Sequence, residues 1–452
     1  MSSAPTPDAH AYPLLIKQLL LMPLAVSPEQ EIVYGDQVRF DYRTLQARIG
    51  QLAGLLTSLG VGHGDTVAVM DWDSNRYLEA YFAVPMIGAV LMMVNVRLAP
   101  EQIAYTLNHS GARAILANRE FLPLLDAIDE QLPDLRTRIL LDDADGPLPP
   151  GFATEYEAGL RDATPVVRFP DFDENARATV FYTTGTTGLP KGVYFSHRQL
   201  VLHSLAAMAA LGGAPRQGRL HRDDVYMPMT PMFHVHAWGL PYVATAMGIR
   251  QVYPGRYLPA KLLALIAREK VTFSHCVPTI LHMLLEHPDA AQTDLEGWKV
   301  IIGGAALPRA LAQRALARGI DIFGGYGMSE TCPLLTIAQI DVDSVTDADE
   351  VLSLRTKAGI PVPLVDLRIV DPDMKDVAHD GIATGEVVVR APWLTQGYLH
   401  DPDASAALWA GGYLHTGDIG NIDEYGYLRV TDRIKDVIKT GGEWISSLAL
   451  ED

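Results

Sequence analysis

Cysteine, positive charge and long apolar runs are all scarce in this chain of 452 residues. The two cysteines, Cys276 and Cys332, lie far apart and form no Cys-x-x-Cys pair, which argues against a disulfide framework and a zinc ribbon. The net charge of −18 disfavours nonspecific binding to nucleic acid or to an anionic membrane. The apolar run 14–26 is interrupted by Lys17 and Gln18 and is shorter than a membrane span.

The amino terminus also lacks the positive charge of a secretory signal, since Asp8 and His10 stand there. We therefore predict a cytoplasmic protein without an integral membrane span, in which residues 14–26 form an amphipathic helix. The chain is too long for a single core, so it predicts roughly two to four domains or subdomains.

Acidic side chains are missing from one stretch of this acidic protein. Residues 175–222 contain no Asp or Glu, whereas the average of 54 acids in 452 residues predicts roughly six there. Within this stretch, residues 182–192 read Tyr-Thr-Thr-Gly-Thr-Thr-Gly-Leu-Pro-Lys-Gly. Glycine lets backbone N–H groups approach a ligand closely, threonine adds hydroxyl donors, and Lys191 adds a cation. We therefore predict that this segment wraps a polyphosphate.

The spacing of this loop differs from that of two common nucleotide-binding loops. The P-loop requires Gly-x-x-x-x-Gly-Lys-Ser/Thr, but here Gly185 and Gly188 are three residues apart and Gly192 follows Lys191. A dinucleotide fingerprint would read Gly-x-Gly-x-x-Gly. Taken alone, the loop is also compatible with a plain surface connection between two strands.

Short apolar strands alternate with helical patterns along most of the chain, which predicts parallel sheets covered on both faces. We divide the chain into two doubly wound α/β subdomains over 1–175 and 176–350, a small β subdomain over 351–432, and a terminal segment over 433–452. The β subdomain is expected to contain strands without intervening helices. Within the first subdomain, residues 142–175 are rich in Asp, Pro and Gly, which predicts a linker or surface excursion.

Three further segments place polar side chains near predicted strand ends, where ligands are expected in such folds. Residues 303–306 read Gly-Gly-Ala-Ala and residues 324–331 read Gly-Gly-Tyr-Gly-Met-Ser-Glu-Thr. Small residues leave room for a flat ring, on which Tyr326 can stack, while Glu330 can hold a hard cation. Asp418, in the turn 413–418, is suited to accept hydrogen bonds from two ribose hydroxyls. Each of these residues, taken singly, more often has a packing, capping or turn role.

Together, residues 182–192, 325–331, 413–418 and 432–442 resemble, in order and spacing, the motifs of the adenylate-forming enzymes. This superfamily includes acyl-CoA synthetases, luciferases and the adenylation domains of peptide synthetases. Residues 231–241, which read Pro-Met-Phe-His-Val-His-Ala-Trp-Gly-Leu-Pro, are most similar to those of bacterial medium- and long-chain fatty acid–CoA ligases. The resemblance implies the large N-terminal α/β domain of such an enzyme, with ATP, Mg²⁺ and CoA as its small-molecule requirements. Homodimers are frequent among its members.

The resemblance also implies roles for individual residues. The phosphates of ATP are expected to contact Thr183, Thr184, Gly185, Thr186, Thr187, Gly188 and Lys191. The rest of the nucleotide is expected to contact Gly304, Ala305, Gly325, Tyr326, Gly327, Met328, Thr331, Asp418, Arg433 and Lys439. Mg²⁺ is assigned to Glu330 and Thr183, and catalysis to Thr183, Lys191, His234 and Glu330. Lys435 matches the hinge about which a small C-terminal domain swings.

The acyl pocket implied by the resemblance is lined by His234, Trp238 and Gly304, and Met232 and Tyr242 are further candidates. An amino-acid-activating relative would carry an Asp at position 234, so His234 predicts a substrate acid without an amino group. The His-x-His spacing formed with His236 is a weak metal signal, because no third ligand cluster accompanies it.

We therefore predict an acyl-CoA synthetase for a medium- or long-chain fatty acid, with a small-molecule acid, ATP and CoA as its partners. The alternatives are a CoA ligase for a short, branched, sulfur-containing or aryl acid, a non-catalytic nucleotide or acyl-adenylate binding module, and a phosphohydrolase. The helix that starts at 446 ends after one turn, which suggests a cut at a domain boundary. Since the family's C-terminal domain supplies a catalytic Lys without a match here, we expect weak adenylation by this chain alone.

Overall fold

The computed structural model describes residues 6, 8–144, 146–183, 188–340, 345, 347–433, 438–440 and 443–445. The strands of this part of the chain are β1 (Glu31–Tyr34), β2 (Val38–Asp41), β3 (Thr66–Met70), β4 (Val90–Met93), β5 (Ala112–Asn118), β6 (Thr137–Leu141), β7 (Thr154–Glu155), β8 (Arg177–Thr183), β9 (Lys191–Ser196), β10 (Val225–Pro228), β11 (Arg250–Tyr253), β12 (Phe273–Cys276), β13 (Lys299–Ile302), β14 (Asp321–Gly327), β15 (Leu334–Ile337), β16 (Ile360–Pro361), β17 (Asp366–Val370), β18 (Gly385–Arg390), β19 (Trp409–Ala410), β20 (Tyr413–Ile422), β21 (Leu428–Arg433), β22 (Ile438–Thr440) and β23 (Glu443–Ile445).

The helices of the same residues are α1 (Leu21–Val26), α2 (Tyr42–Ser58), α3 (Asn75–Met86), α4 (Pro100–His109), α5 (Leu122–Ala127), α6 (Tyr156–Asp162), α7 (His197–Gly213), α8 (Val235–Trp238), α9 (Leu240–Met247), α10 (Pro259–Glu269), α11 (Pro278–Glu286), α12 (Arg309–Leu316), α13 (Ala348–Thr356) and α14 (Pro402–Leu408). Short 3₁₀ turns cover Ile16–Leu20, Arg119–Phe121, Asp129–Gln131, Pro288–Gln292 and Ser329–Thr331.

The first large sheet has seven strands in the order β7-β6-β5-β3-β4-β8-β9. All its neighbours are parallel except β9, which pairs antiparallel with β8. Every residue of β3 and β4 is buried, as expected for short apolar strands that are covered on both faces. This sheet confirms the doubly wound architecture predicted for the first part of the chain.

The second large sheet has nine strands in the order β16-β15-β14-β13-β12-β10-β11-β1-β2. Its centre is parallel, whereas β2, β15 and β16 run antiparallel to their neighbours. The early strand β1 pairs with β11 in this sheet, while β8 and β9 belong to the first sheet. The two sheets therefore do not divide at the predicted boundary at residue 175, because strands from before it pair with strands from after it. The division into domains stays a prediction.

The third sheet is antiparallel and consists of β17 to β21. It agrees with the β subdomain expected beyond residue 351. The expectation of strands without intervening helices is wrong at one place, since α14 lies between β18 and β19. The Asp401 side chain caps this helix by accepting a hydrogen bond from the Ala404 N–H.

The segment predicted as a linker, 142–175, contains β7 and α6. The helix begins after Glu155, whose carboxylate accepts hydrogen bonds from the N–H groups of Glu157 and Ala158. The polar composition of this segment therefore supplies a helix cap, and the linker interpretation is wrong for these residues.

The amino-terminal run 14–26 is helical as predicted, although it forms a 3₁₀ turn followed by the short helix α1. Ile16 and Leu20 are buried in an apolar core that continues through the three larger sheets to Leu428, and β22 and β23 form a separate two-stranded sheet. None of the helices that the structure describes combines the length and hydrophobicity of a bilayer span.

Candidate nucleotide and acid site

The β8–β9 hairpin presents the candidate phosphate loop. Thr183 and Lys191 are directly opposite each other at its end. Thr184, Gly185, Thr186 and Thr187, which connect the two strands, lie outside the described residues. Gly188 is exposed and has a φ of 121°, a left-handed backbone that glycine adopts without steric cost. Thr183 and Lys191 thus frame the mouth of the loop, which is where the sequence predicts the phosphates.

Lys191 lies close to residues 398–401, a segment for which the sequence predicted no role. Its Nζ lies 4.8 Å from the centre of the Tyr398 ring and 4.0 Å from the Asp401 carboxylate. The Tyr398 hydroxyl in turn donates to Oε1 of Glu330 at 2.7 Å. Tyr398 therefore connects the hairpin cation to the candidate metal ligand.

Glu330 lies in the turn Ser329–Thr331 after β14 and is only 7% exposed. Burial raises the pKa of this carboxyl, and the hydrogen bond from Tyr398 and the positive charge of Lys191 oppose that rise. The negative charge of Asp418 raises the pKa further. The charges of Lys191 and Asp418 thus both act on Glu330, and Tyr398 contacts both Lys191 and Glu330, although these residues are far apart in the sequence.

Tyr326, Asp418 and Arg433 form a second polar group beside Glu330. The Tyr326 hydroxyl donates to Oδ2 of Asp418 at 2.7 Å, and Nε of Arg433 lies 3.4 Å from Oδ1. Asp418 and Arg433 face each other across the β20–β21 ladder. Burial raises the pKa of Asp418, while the bond from Tyr326 and the charge of Arg433 counteract the effect. The arrangement holds one carboxylate ready to accept further hydrogen bonds.

The predicted contact of Thr331 with phosphate is not prepared in this structure. The Thr331 side chain is fully buried, donates to the carbonyls of Met328 and Pro333, and accepts from the Met328 N–H. A phosphate contact would require these bonds to be exchanged, so the role stays a prediction. Close packing explains why position 327 is a glycine, because an added Cβ would lie 1.8 Å from the Pro333 carbonyl oxygen.

The glycines after β13 and within β14 lie side by side, since Ile302 pairs with Gly324. An added Cβ at Gly303 would lie 2.9 Å from the Trp238 ring and 3.1 Å from the Gly325 carbonyl oxygen. Gly304 has a φ of 74°, and the neighbouring Ala305 is exposed. This glycine wall therefore brings the candidate adenine-binding residues next to Trp238 of the candidate acyl pocket.

Helix α8 is a left-handed turn. Val235, His236, Ala237 and Trp238 have φ values of 47°, 56°, 46° and 58°. L-residues pay roughly 1–2 kcal/mol each for this conformation, and such strain is concentrated at functional sites. The turn places the Trp238 ring against Gly303, and the centres of the Trp238 and His275 rings lie 4.9 Å apart.

His234 precedes this turn and remains accessible to solvent although protein surrounds much of its ring. Partial desolvation lowers the pKa of His234, and the positive charge of Arg97 lowers it further. The imidazole is therefore held neutral on an accessible surface, which suits a residue that lines a binding cleft.

The other acyl-pocket and metal candidates are core residues. Met232 and Tyr242 are fully buried, and the Tyr242 hydroxyl donates to the Tyr81 carbonyl at 3.0 Å. His236 is also buried; its Nε2 lies 2.8 Å from the Thr179 hydroxyl, and burial lowers its pKa to about 3. His234 and His236 thus point to different environments. In the described part of the chain, no group of three His, Cys, Asp or Glu residues is arranged for a metal.

Two of the predicted positions near the carboxyl terminus are not tested by the structure. Lys435 lies outside the described residues, and for Lys439 only the backbone of β22 is described. The residues that the sequence analysis missed are Tyr398 and Asp401, because they belong to no recognised spacing. The one local signal was a Gly-Tyr pair after β18, and it predicts only a turn.

The AMP-binding enzyme family model matches residues 23–399. The chain belongs to the AMP-binding enzyme family. The family assignment confirms the resemblance inferred from the motifs, and it shows that the chain is an AMP-forming acid–CoA ligase by class.

Relatives of this AMP-binding enzyme include a long-chain-fatty-acid–CoA ligase from Thermus thermophilus. It is 43% identical over 423 residues, which cover 92% of this chain and 76% of the relative. A 3-methylmercaptopropionyl-CoA ligase from Ruegeria lacuscaerulensis is 37% identical over 455 residues, covering 97% of this chain and 82% of the relative. The crystal structure of the anthranilate CoA ligase AuaEII with anthranoyl-AMP is 25% identical, has a TM-score of 0.85, and matches over 97% of this chain and 82% of that chain. The similarity confirms the predicted fold class.

The residues of this AMP-binding enzyme fit a Mg²⁺ ion that is shared with a nucleotide. Mg²⁺ is commonly bound by one or two carboxylates together with substrate phosphates, and it needs no complete protein cage. Glu330 supplies such a carboxylate, and Tyr398, which donates to it, also lies against Lys191 of the hairpin. Thr183 at the end of β8 is the second candidate ligand.

Proposed function

We propose that the protein activates a medium- or long-chain fatty acid with ATP to give acyl-AMP and pyrophosphate, and then transfers the acyl group to CoA. The observation that carries this proposal is the convergence of Lys191, Glu330 and Asp418 beside the glycine wall. Such a site combines a cation for phosphates, a ligand for a hard cation and an acceptor for ribose hydroxyls.

The first step requires two anions to meet. A carboxylate oxygen forms a bond to the α-phosphorus, and the bond from that phosphorus to the pyrophosphate oxygen breaks. Lys191 supplies positive charge beside the leaving phosphates, which lowers the repulsion in the transition state. Mg²⁺, when bound by Glu330 and Thr183, neutralises further charge on the phosphate oxygens.

The nucleoside is oriented by the second polar group. Asp418 accepts from the ribose hydroxyls, Tyr326 fixes its carboxylate and stacks on the adenine, and Arg433 supplies a nearby cation. Because the reacting phosphorus is attached to this ribose, holding the sugar also places the α-phosphate. In the second step the CoA sulfur bonds to the acyl carbon, AMP leaves with the former carboxylate oxygen, and the thiol proton is released.

The acid is proposed to lie between His234, Trp238 and Gly304. A neutral His234 can donate a hydrogen bond to the acid carboxylate, and Trp238 supplies an apolar surface for the alkyl chain. The name of the Thermus relative, a long-chain-fatty-acid–CoA ligase, supports a fatty acid. The name of the Ruegeria relative supports a second candidate, a short acid that contains sulfur.

The proposal is tested by measuring AMP and pyrophosphate with fatty acids of increasing chain length, 3-methylmercaptopropionate and anthranilate, with and without CoA. We expect weak pyrophosphate release that depends on a medium- or long-chain acid, and acyl-CoA formation when CoA is added. Glu330→Gln, which keeps the size of the side chain, is the matched variant and should release much less pyrophosphate. Release of inorganic phosphate would favour the phosphohydrolase, and binding of ATP without turnover would favour the non-catalytic module.

We further propose a cytoplasmic location and a homodimer. The location is supported by the two cysteines, Cys276 and Cys332, which are both buried and free. The dimer is supported only by its frequency among adenylate-forming enzymes. Fractionation of cells and light scattering of the purified protein test the two statements separately.

A further inference from the structure

Asp73 stands where three segments of the fold meet. It follows β3 of the first large sheet and is 3% exposed. Its carbonyl accepts from the Gly255 N–H at 2.8 Å, just after β11 of the second sheet. One carboxylate oxygen accepts from the Met232 N–H at 2.8 Å, and the other accepts from the Tyr257 hydroxyl. A single buried residue thus joins the two sheets through its carbonyl, and its carboxylate holds the segment that carries His234.

Met232 is held from both sides of its backbone. Its N–H is bonded to Asp73, and its carbonyl accepts from the Tyr81 hydroxyl of α3. His234 follows two residues later, and the left-handed turn begins at Val235. The two bonds therefore anchor the backbone two residues before His234.

A cavity borders the segment on one side at Pro231, although the Met232 side chain itself is fully buried. Pro231, Asp73 and Tyr257 line a cavity of about 210 Å³ whose wall also includes Arg97 and Arg256. An open cavity has no atoms to press against the backbone of the segment, so its position there depends on hydrogen bonds. A turn of non-glycine residues with positive φ persists only where its surroundings determine its position.

We propose that Asp73 is a positioning residue for the acid site, which through the Met232 N–H holds His234 and Trp238 in place and so determines which acids bind. This inference rests on the proposed function. It concerns only the acid side of the site, because within the described part of the chain the hydrogen bonds of Asp73 go to Met232, Tyr257 and Gly255 and not to a candidate nucleotide residue. Loss of the anchor should therefore impair use of the acid and leave ATP binding intact.

The test compares Asp73→Ala with Asp73→Asn and Tyr257→Phe in pyrophosphate release. Asp73→Ala removes the acceptor of the Met232 N–H, so we expect the KM for the acid to rise about tenfold, equivalent to about 1.4 kcal/mol, and the chain-length preference to broaden. The KM for ATP should change by less than about twofold. Asp73→Asn keeps an acceptor oxygen and should restore the acid KM, and Tyr257→Phe keeps the Met232 bond and should resemble the wild type.

A merely structural role for Asp73 predicts a different pattern. It would lower the thermal midpoint while both KM values and the acid preference stayed as in the wild type, and that result would overturn the inference. Equal rises in the KM for acid and ATP, or an Asn variant as impaired as the Ala variant, would also overturn it. If Asp73→Ala does not fold, Tyr81→Phe tests the same anchor from the carbonyl side and should raise only the acid KM. A wild type that activates no acid would instead refute the proposed function.

Discussion

The bond between Tyr326 and Asp418 offers the sharpest prediction on the nucleotide side. Tyr326→Phe keeps the ring for stacking and removes the hydroxyl that donates to Asp418 at 2.7 Å. A hydrogen bond to a charged group contributes roughly 1.5–3 kcal/mol, and because this bond already exists without ATP, the affinity for ATP should fall by at most roughly 10- to 150-fold. The acid KM should be unchanged, because the bond lies on the nucleotide side of the glycine wall.

The same substitution should alter the pH dependence of ATP binding. The bond from Tyr326 lowers the pKa of Asp418, which burial has raised, so its loss raises that pKa further. Since the ribose hydroxyls are expected to donate to the ionised carboxylate, the deficit in ATP affinity should grow as the pH falls. Isothermal titration with ATP over a pH series measures both effects.

Tyr413→Phe is the matched control for this experiment. Its hydroxyl donates to the Asp366 carboxylate at 2.9 Å, in the same sheet and with the same chemistry, but apart from the nucleotide residues. It should leave ATP affinity unchanged at every pH. The assignment of Asp418 to the ribose would be refuted by a Tyr326→Phe variant that binds ATP like the wild type, or by equal losses in the two variants.

Three further predictions concern the phosphate cation, the glycine wall and acid stability. Lys191→Met should weaken ATP binding, most strongly at low salt, because salt screens the attraction between the lysine and the phosphates. The thermal midpoint should change little, since the ion pair of Lys191 with Asp401 is exposed and worth less than about 1 kcal/mol. Titrations with ATP at two salt concentrations measure the loss of affinity, and an equal loss at both concentrations would contradict the prediction. Gly303→Ala should displace Trp238 at a cost of about 1–3 kcal/mol and shift the preference towards shorter acids, and an unchanged chain-length profile would speak against that pocket. Burial lowers the pKa of His197 to about 4 and the pKa values of His203 and His275 to about 3. In the unfolded chain these histidines regain their ordinary pKa of about 6.5, so unfolding is coupled to proton uptake when the pH is below that value. Stability should therefore fall as the pH drops from about 6.5 towards 4, by about 3 kcal/mol for His197 alone; urea midpoints across this range measure it, and constant midpoints would exclude it.

The sequence predicts best those features that depend on neighbouring residues. The hairpin around Lys191 and the turn with Glu330 are local patterns of glycine, threonine and charge, and the structure places both at strand ends as expected. The alternation of strands and helices likewise predicts sheets covered on two faces, because hydrophobic periodicity reports burial directly.

Partners that are distant in the sequence could not be predicted in this way. Tyr398 joins Lys191 to Glu330 through contacts that cross more than one sheet, and no spacing in the chain marks it. Asp73 was missed for the same reason, since its acceptor role depends on Met232 and Tyr257. The exchange of strands between the two large sheets, in which β1 joins the second sheet and β8 the first, could not be predicted either. Hydrophobic periodicity identifies a strand but does not identify the strand beside it.

That exchange has a consequence for synthesis on the ribosome. Ile32 of β1 pairs with Gln251 of β11, about 220 residues later. At about 5–20 residues per second, β1 waits roughly 10 to 45 s before its partner has even been translated. During that interval β1 can pair with β2 on one side, but the N–H and C=O groups of its other edge are available to other nascent chains. Newly made protein should accordingly need a chaperone until translation passes β11, whereas the finished molecule keeps this edge paired.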